Sequence, residues 1–173
     1  ITLAIAAVLM MVAVPSFLAF QRNAELTASA NTLLAAMNVA RSEAMKRNLN
    51  VVVVPIDKVW TSGWRVFVDS NRNKAFNDGD TIVATYPALQ PYFTVTGTGN
   101  ADGSTPYVLF NGSGYARNFD TGPGNLTVEI KRNDLSGTNL FDQTRRVKVA
   151  TTGRVRVCKP VSDKDTNCNM TDE

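Results

Sequence analysis

The sequence predicts an α+β fold: one long N-terminal helix whose second half packs on antiparallel β-sheet, arranged as two sheets. Three observations carry this. The first twenty residues, ITLAIAAVLMMVAVPSFLAF, contain only two polar side chains, Thr2 and Ser16. The next stretch, QRNAELTASANTLLAAMNVARSEAMKRN, keeps apolar or small residues on one helical stripe. After Asn50 the pattern becomes short β-rich runs separated by Gly, Asn, Asp and Pro, with no second long helix and no fixed-period repeat. At 173 residues the chain suits one domain with a real core.

The helix comes first. Twenty apolar residues in helical form rise about 30 Å, the thickness of a bilayer core. A cleaved signal peptide would have a shorter apolar region, flanking positive charge and a small-residue cleavage site. Here the run passes through Pro15 into the next segment without a loop. Leu26, Ala30, Leu33, Leu34, Met37, Ala40, Ala44 and Met45 then recur at spacings of three and four, which is one face of a helix. Lys46 and Arg47 complement the dipole at the C-terminal end, and Asn48 and Asn50 break the helix. The expectation is one rod of about 40-odd residues, some 70 Å long. Residues 1–23 need lipid or other helices on every side, and the helix within 24–173 needs one folded head to lie against. A plain membrane anchor with a soluble domain is the simpler alternative, and it leaves the missing linker unexplained. The chain begins with Ile rather than Met, so a processed or truncated N-terminus is expected.

The strands follow. The expected runs are Val51–Ile56, Trp64–Val68, Thr81–Tyr86, Tyr92–Thr96, Tyr107–Phe110, Leu126–Lys131, Arg146–Ala150 and Arg154–Cys158. The segment Gly97–Pro106 is expected to be a mobile loop, and DTGPGN is a second turn-rich break.

Several classes of chemistry can be weighed. The chain has no histidine, which removes His-based triads and His metal sites. Acidic residues are scattered on turn-like segments without a convincing pair, so neither enzyme activity nor a cofactor is expected. The segment DSNRNKAFNDGD places Asp69, Asn71, Asn73, Asn77 and Asp80 at positions 1, 3, 5, 9 and 12 of a calcium-loop pattern. Lys74 stands where that pattern needs glycine, and the last ligand is Asp rather than Glu. The competing reading is a hairpin connection whose Asn and Asp side chains cap their own backbone. Two cysteines, Cys158 and Cys168, lie near the C-terminus. In an exported domain they read as one disulfide, and in the cytosol as free thiols.

The sharpest signal is RRVKVATTGRVRVCKP, in which Arg145, Arg146, Lys148, Arg154, Arg156 and Lys159 have no acid among them. A three-residue hairpin loop at Thr151, Thr152 and Gly153 sets Val149 opposite Val155, Val147 opposite Val157 and Lys148 opposite Arg156. Every valine then shares one face, with Arg146, Lys148, Arg154 and Arg156 on the other. Gly153 takes the left-handed position of such loops. Like charges facing each other across a hairpin cost several tenths of a kcal/mol per pair, so something should offset them. Three offsets are open. One is an anionic partner such as double-stranded DNA. The second is acidic residues on a neighbouring subunit. The third is a solvated or internally neutralised face, with the tail bearing Asp163, Asp165, Asp172 and Glu173 folded over it.

Several motifs point to one family. The apolar run ending VAVPSF, then LTASANTLLAAMNVARSEAMKRN, then VVVV, resembles the FimT/FimU–GspH branch of type IV minor pilins and type II secretion pseudopilins. GWRVFVDSNRNKAFNDGD resembles that branch's GW-VF-D-N-N segment. The family's Phe-Thr-Leu-Ile-Glu start is absent and would fall just before Ile1, so its assembly glutamate has no counterpart among these residues. The resemblance implies a single-pass inner-membrane protein with a periplasmic head. Its helix would later pack among other pilin helices in a filament at the cell surface. Pro15 would mark a helix kink or a point of local melting, or a harmless kink in a membrane helix. An exported head implies a Cys158–Cys168 disulfide, worth roughly 2–3 kcal/mol in the chain-entropy model. GRVR, Gly153 to Arg156, resembles a Gly-Arg-x-Arg motif of FimT-type pilins linked to DNA capture in natural transformation. It casts Arg154 and Arg156 as phosphate contacts, with Arg146, Lys148 and Lys159 in support. The expected function is therefore a minor pilin that enters or primes a type IV pilus. The alternatives are a GspH-type pseudopilin of type II secretion and a membrane-anchored periplasmic binding module.

Overall fold

The computed structural model describes residues 2–119, 122–137, 139–162 and 164–170, with side chains from Phe17 onward except that of Asn139. Helix α1 spans Thr2–Arg47, 46 residues in one piece, so the rod is about 69 Å long. Pro15 lies within this helix, and the kink expected at its ring falls outside the described side chains. The helix stops where asparagine can take over. Asn48 is left-handed at φ 53°, and the Leu49 N–H bonds back to the Ala44 carbonyl, which satisfies one of the orphan carbonyls of the last turn. Glu43 takes both terminal cations, Lys46 at 3.3 Å and Arg47 at 2.6 Å.

Among the described residues, nine strands form two antiparallel sheets. The first sheet holds β1 (Val51–Pro55), β2 (Trp64–Val68), β3 (Thr81–Tyr86), β5 (Val108–Phe110) and β6 (Ala116–Arg117), in the order β3-β2-β1-β5-β6. The second holds β4 (Phe93–Gly97), β7 (Leu126–Arg132), β8 (Thr144–Val149) and β9 (Val155–Cys158), in the order β4-β7-β8-β9. A single-turn helix, α2 (Asn139–Asp142), leads into β8. The expected strands are all present. The two-residue β6 and the short α2 have no sequence run long enough to announce them.

The C-terminal half of α1 lies against both sheets. Leu26, Ala30, Leu33, Met37, Ala40 and Ala44 are buried, as the stripe predicts, and Ala36 joins them. Met45 is 47% exposed, because the stripe has turned away from the sheets by the last turn. From the first sheet Val51, Val53, Trp64, Val66, Val108 and Phe110 meet this stripe, and from the second Leu126, Val128, Ile130, Val147 and Val149. Burying a Leu or Met of this kind contributes about 2–5 kcal/mol against alanine.

The valine run of β1 is buried on both faces. Val52 points away from the helix into a second cluster with Phe67, Tyr107 and Leu109. The loop after β2 covers that cluster. Phe76 meets Phe67 edge-on at 5.5 Å, and the Lys74 ammonium lies over the rings of Tyr107 and Phe119. In the segment expected to be mobile, Gly97–Pro106, residues 102–105 are exposed, while Gly97 ends β4 and Gly99–Ala101 form a short 3-10 turn. Ala101 is buried, and its carbonyl accepts the Trp60 Nε1–H at 2.9 Å.

Candidate functional site

The β8–β9 hairpin has the register that alternation demands. Val149 faces Val155, Val147 faces Val157, Lys148 faces Arg156 and Arg146 faces Cys158. The loop is Thr151, Thr152 and Gly153, closed by the Gly153 N–H on the Ala150 carbonyl at 2.8 Å and the Ala150 N–H on the Arg154 carbonyl at 2.9 Å. Gly153 is left-handed at φ 79°. Its second reason for being glycine is contact: a Cβ there would sit 1.9 Å from the Gly114 carbonyl oxygen of the β5–β6 turn. The two hairpin tips meet at this point. The Ala116 N–H bonds the Thr151 carbonyl at 3.0 Å. Arg41 of α1 reaches between them, with Nε on the Gly114 carbonyl at 3.0 Å and Nη2 on the Thr152 carbonyl at 3.3 Å.

The basic face is not uniformly open. Pairing of β7 with β8 sets Glu129 beside Arg146. The two form a buried ion pair at 2.7 Å, and Lys131 shares the same carboxylate at 3.1 Å. Arg146 also donates to the carbonyl of Cys168. Lys148, only 2% exposed, donates to Asn169 Oδ1 at 2.8 Å. Arg156 donates to the Asn167 carbonyl at 2.7 Å. Lys159 pairs with Asp142 at 2.6 Å, and that lysine's hydrogen bond holds the Asp142 carboxyl below the usual carboxylate range. Arg154, at the hairpin tip, is exposed. The support expected from Arg146 and Lys148 is therefore turned inward, onto Glu129 and the C-terminal segment, while Arg154 and part of Arg156 remain toward solvent. Arg145 points to the other side and staples β8 to the helix, donating to Asn23 Oδ1 at 2.9 Å and Thr27 Oγ1 at 3.2 Å. Burial pulls the pKa of its guanidinium down.

The cover is the tail. Cys158 and Cys168 are joined in a disulfide with their Cα atoms 5.9 Å apart. Asp165 shapes the enclosed loop. It accepts the backbone N–H groups of Val161 at 3.1 Å, Asn167 at 3.0 Å and Cys168 at 3.1 Å. Those bonds, Val161's foremost, hold its carboxyl below the usual range. Arg146, Lys148 and Arg156 each donate to a carbonyl or amide oxygen of this segment, and the charge of Arg146 also acts on the Asp165 carboxylate. Asp163, Asp172 and Glu173, expected to take part, lie outside the described residues.

The calcium-loop candidate closes on itself. Asp69 accepts the N–H groups of Asn73 at 3.0 Å and Lys74 at 2.9 Å. Asp80 accepts those of Ser70 at 3.0 Å and Asn77 at 3.1 Å. Asn71 bonds Asn77 side chain to side chain, and Asn73 caps Ala75. The alternating oxygens satisfy their own turn, and no cluster of metal-binding side chains occurs among the described residues. Lys74 holds φ 57° at the position where glycine was expected, its ammonium engaged by two aromatic rings.

A different surface lies at the far end of the head. Phe17 is 66% exposed, Leu18 46% and Phe20 71%. Just past them α1 is anchored by Arg22, which pairs with Asp134 at 2.7 Å and stacks on Tyr92. Glu25 bonds the Tyr92 hydroxyl. Among the described residues no helix is long and apolar enough to cross a membrane, and the apolar side chains of residues 1–16 lie outside them.

Two residues that matter here were not legible as site residues. Arg41 sits in the ARSEA segment beside the buried stripe, and Glu129 alternates outward in LTVEIK. Either could have been found only by knowing which strands are neighbours.

The comparisons agree with this architecture. A search of curated proteins finds no match. The fold is similar to the type IV minor pilin FimU of Pseudomonas aeruginosa, with TM-score 0.58 and 20% identity over 82% of this chain and 93% of that one. It is also similar to the minor pseudopilin EpsH of the Vibrio cholerae type 2 secretion system, with TM-score 0.55 and 16% identity over 80% of this chain and 99% of that one. These are structural subunits rather than enzymes. The model of the family described as type II transport protein GspH matches residues 29–163, from the middle of α1 past the last strand. This chain belongs to the GspH family of minor pilins and pseudopilins.

Proposed function

We propose that this chain is a minor pilin of a type IV pilus, incorporated into the filament or priming its assembly. The observation that carries the reading is the division of α1. One stripe of its second half is buried against the head, while Phe17, Leu18 and Phe20, just before that stripe begins, expose large apolar surface. Such a surface needs lipid before assembly and neighbouring helices after it. The head would then be periplasmic and the apolar N-terminal run would hold it at the inner membrane. A pseudopilin of type II secretion is the second reading, favoured by the EpsH likeness across nearly the whole of that chain.

A DNA contact is part of the proposal. Arg154 at the exposed hairpin tip, Arg156 beside it and Lys159 past β9 would meet phosphates. Each neutralised phosphate would add about 0.9 to the salt slope. Arg146 and Lys148 would act behind them.

Deleting the gene and scoring piliation, secretion and transformation separately tests the machine. Loss of piliation that returns with the intact chain, and not with a Phe17→Asp, Phe20→Asp chain, supports the pilus. Loss of secretion alone moves the assignment to the pseudopilus, and normal behaviour in all three sinks both. Gel shifts of the detergent-solubilised full chain test the DNA face. An Arg154→Ala, Arg156→Ala variant with unchanged affinity and salt slope would remove it.

A further inference from the structure

We propose that a cleft on the outer face of the first sheet is a binding site for a small organic carboxylate with an apolar body, of amino-acid to dipeptide size. The site is separate from the basic hairpin and from the exposed apolar residues of α1, and it does not depend on which machine the chain serves.

Strand register builds the cleft. On the face of the first sheet turned away from α1, Val52 lies opposite Phe67 and Val54 opposite Arg65, so the two pairs make successive rows along β1 and β2. The loop after β2 closes over the first row, with Phe76 edge-on to Phe67. The second row stays half-buried and lines a cleft of about 460 Å³, a size usual for small-molecule sites. The rest of the lining comes from Ala75 and Phe76 of that loop, Pro55 to Lys58 after β1, and Thr105 with Pro106 ahead of β5.

Three observations point to an anion. First, the Arg65 guanidinium stacks over the Phe76 ring at 4.3 Å, and its buried Nε–H has no acceptor. A buried donor without an acceptor is rare in a folded protein, and in the lining of a cleft a ligand can bring the missing oxygen. Stacking holds the planar group by its face and leaves its edge, which can grip a carboxylate with two parallel bonds. Second, the charge of the lining is one-sided: Lys58, Arg65 and Lys74 stand against Asp57. The Lys74 ammonium is engaged by the rings of Tyr107 and Phe119, whereas Lys58 is exposed and has no ion pair among the described residues. Third, a strained turn presents Lys58. Asp57 at φ 53° and Lys58 at φ 64° are consecutive left-handed residues without a glycine. The Val59 N–H on the Ile56 carbonyl at 3.1 Å and the Ile56 N–H on the Gly63 carbonyl at 2.9 Å keep the turn in place. Strain of this kind clusters at ligand sites, where it fixes a side chain in advance. The ligand's body then rests on Val54, Ile56, Phe76 and Pro106, and its carboxylate accepts from Arg65 with Lys58 in support.

The test titrates the full chain in detergent with N-acetylphenylalanine, its neutral amide N-acetylphenylalaninamide, and N-acetylglycine, which lacks the ring. Amide NMR shifts report where and how tightly each binds. The expected result is saturable shifts at residues 54–58, 65 and 74–76, with a Kd of about 1 mM or tighter for N-acetylphenylalanine. The amide forfeits a charge-assisted bond and binds at least about ten-fold more weakly. N-acetylglycine forfeits the buried ring and weakens by about ten-fold or more. Arg65→Gln lowers affinity for the acid by about ten-fold and leaves that for the amide unchanged. Lys58→Gln lowers it by about two- to five-fold, as suits an exposed charge. Equal affinity for acid and amide, an Arg65→Gln chain that binds the acid as tightly as the natural one, shifts confined to the Arg154 hairpin, or no saturation by about 10 mM each overturn the site. If Arg65→Gln does not fold, the comparison of acid with amide on the unaltered chain decides alone.

Discussion

Replacing Gly153 by alanine should be among the most damaging single-methyl additions in the head. The perturbation has two parts. At φ 79° an alanine occupies the left-handed region, which costs about 1–2 kcal/mol. Its Cβ would also lie 1.9 Å from the Gly114 carbonyl oxygen, a backbone atom that cannot swing aside. The two hairpin tips must therefore part. Parting them breaks the Ala116–Thr151 backbone bond and at least one of the two Arg41 bonds. A neutral bond contributes about 0.5–1.5 kcal/mol and a charge-assisted one about 1.5–3. Allowing for partial relaxation, the whole effect is about 3–5 kcal/mol, or roughly 6–20 °C in Tm for a chain of this size. Gly137 is the control. It has φ 70° and nothing within 4 Å of an added Cβ, so its alanine variant should show only the backbone cost, roughly 2–8 °C. Thermal melts of the detergent-solubilised chain, followed by the fluorescence of buried Trp60 and Trp64, read the difference. Two variants melting within 2 °C of each other would show that the tips do not meet. The experiment also separates two roles of the GRVR string, since a packing role for Gly153 needs no DNA.

Three further outcomes follow from the head. Trp60→Phe keeps the ring but leaves the buried Ala101 carbonyl without its donor, so stability falls by about 1–3 kcal/mol and amides of residues 98–102 exchange faster; unchanged exchange would mean that the indole bond does not hold this loop. Calcium at 5 mM leaves the melting temperature unmoved, because Asp69 and Asp80 are spent on their own turn; a site with Kd of about 0.1 mM would instead add about 2.3 kcal/mol. The Asp165 carboxyl is held low chiefly by the Val161 N–H, so its contribution is present above the ordinary carboxylate pKa and is lost as pH falls through the depressed folded value. Amides of Val161, Asn167 and Cys168 should lose exchange protection in acid before the strands do, and protection that outlasts that of the strands would refute this.

The local patterns carried a large share of the fold. The stripe from Leu26 to Ala44 and the alternation VKVATTGRVRV each repeat with the period of their own element, so helix face and hairpin register could be read without a partner in view. The pairing of Cys158 with Cys168 followed once an exported head was accepted. The tertiary structure alone decided what the basic side chains touch. The acid beside Arg146, Glu129, comes from a strand 17 residues earlier, and the oxygens that accept from Arg146, Lys148 and Arg156 come from a tail folded back over the sheet. Arg41 became a clamp only because two hairpins from different sheets end at the same turn of α1. Periodicity says which way a side chain points relative to its own backbone. Which distant group stands there to receive it depends on how strands and tail are ordered in space, and no local repeat encodes that order.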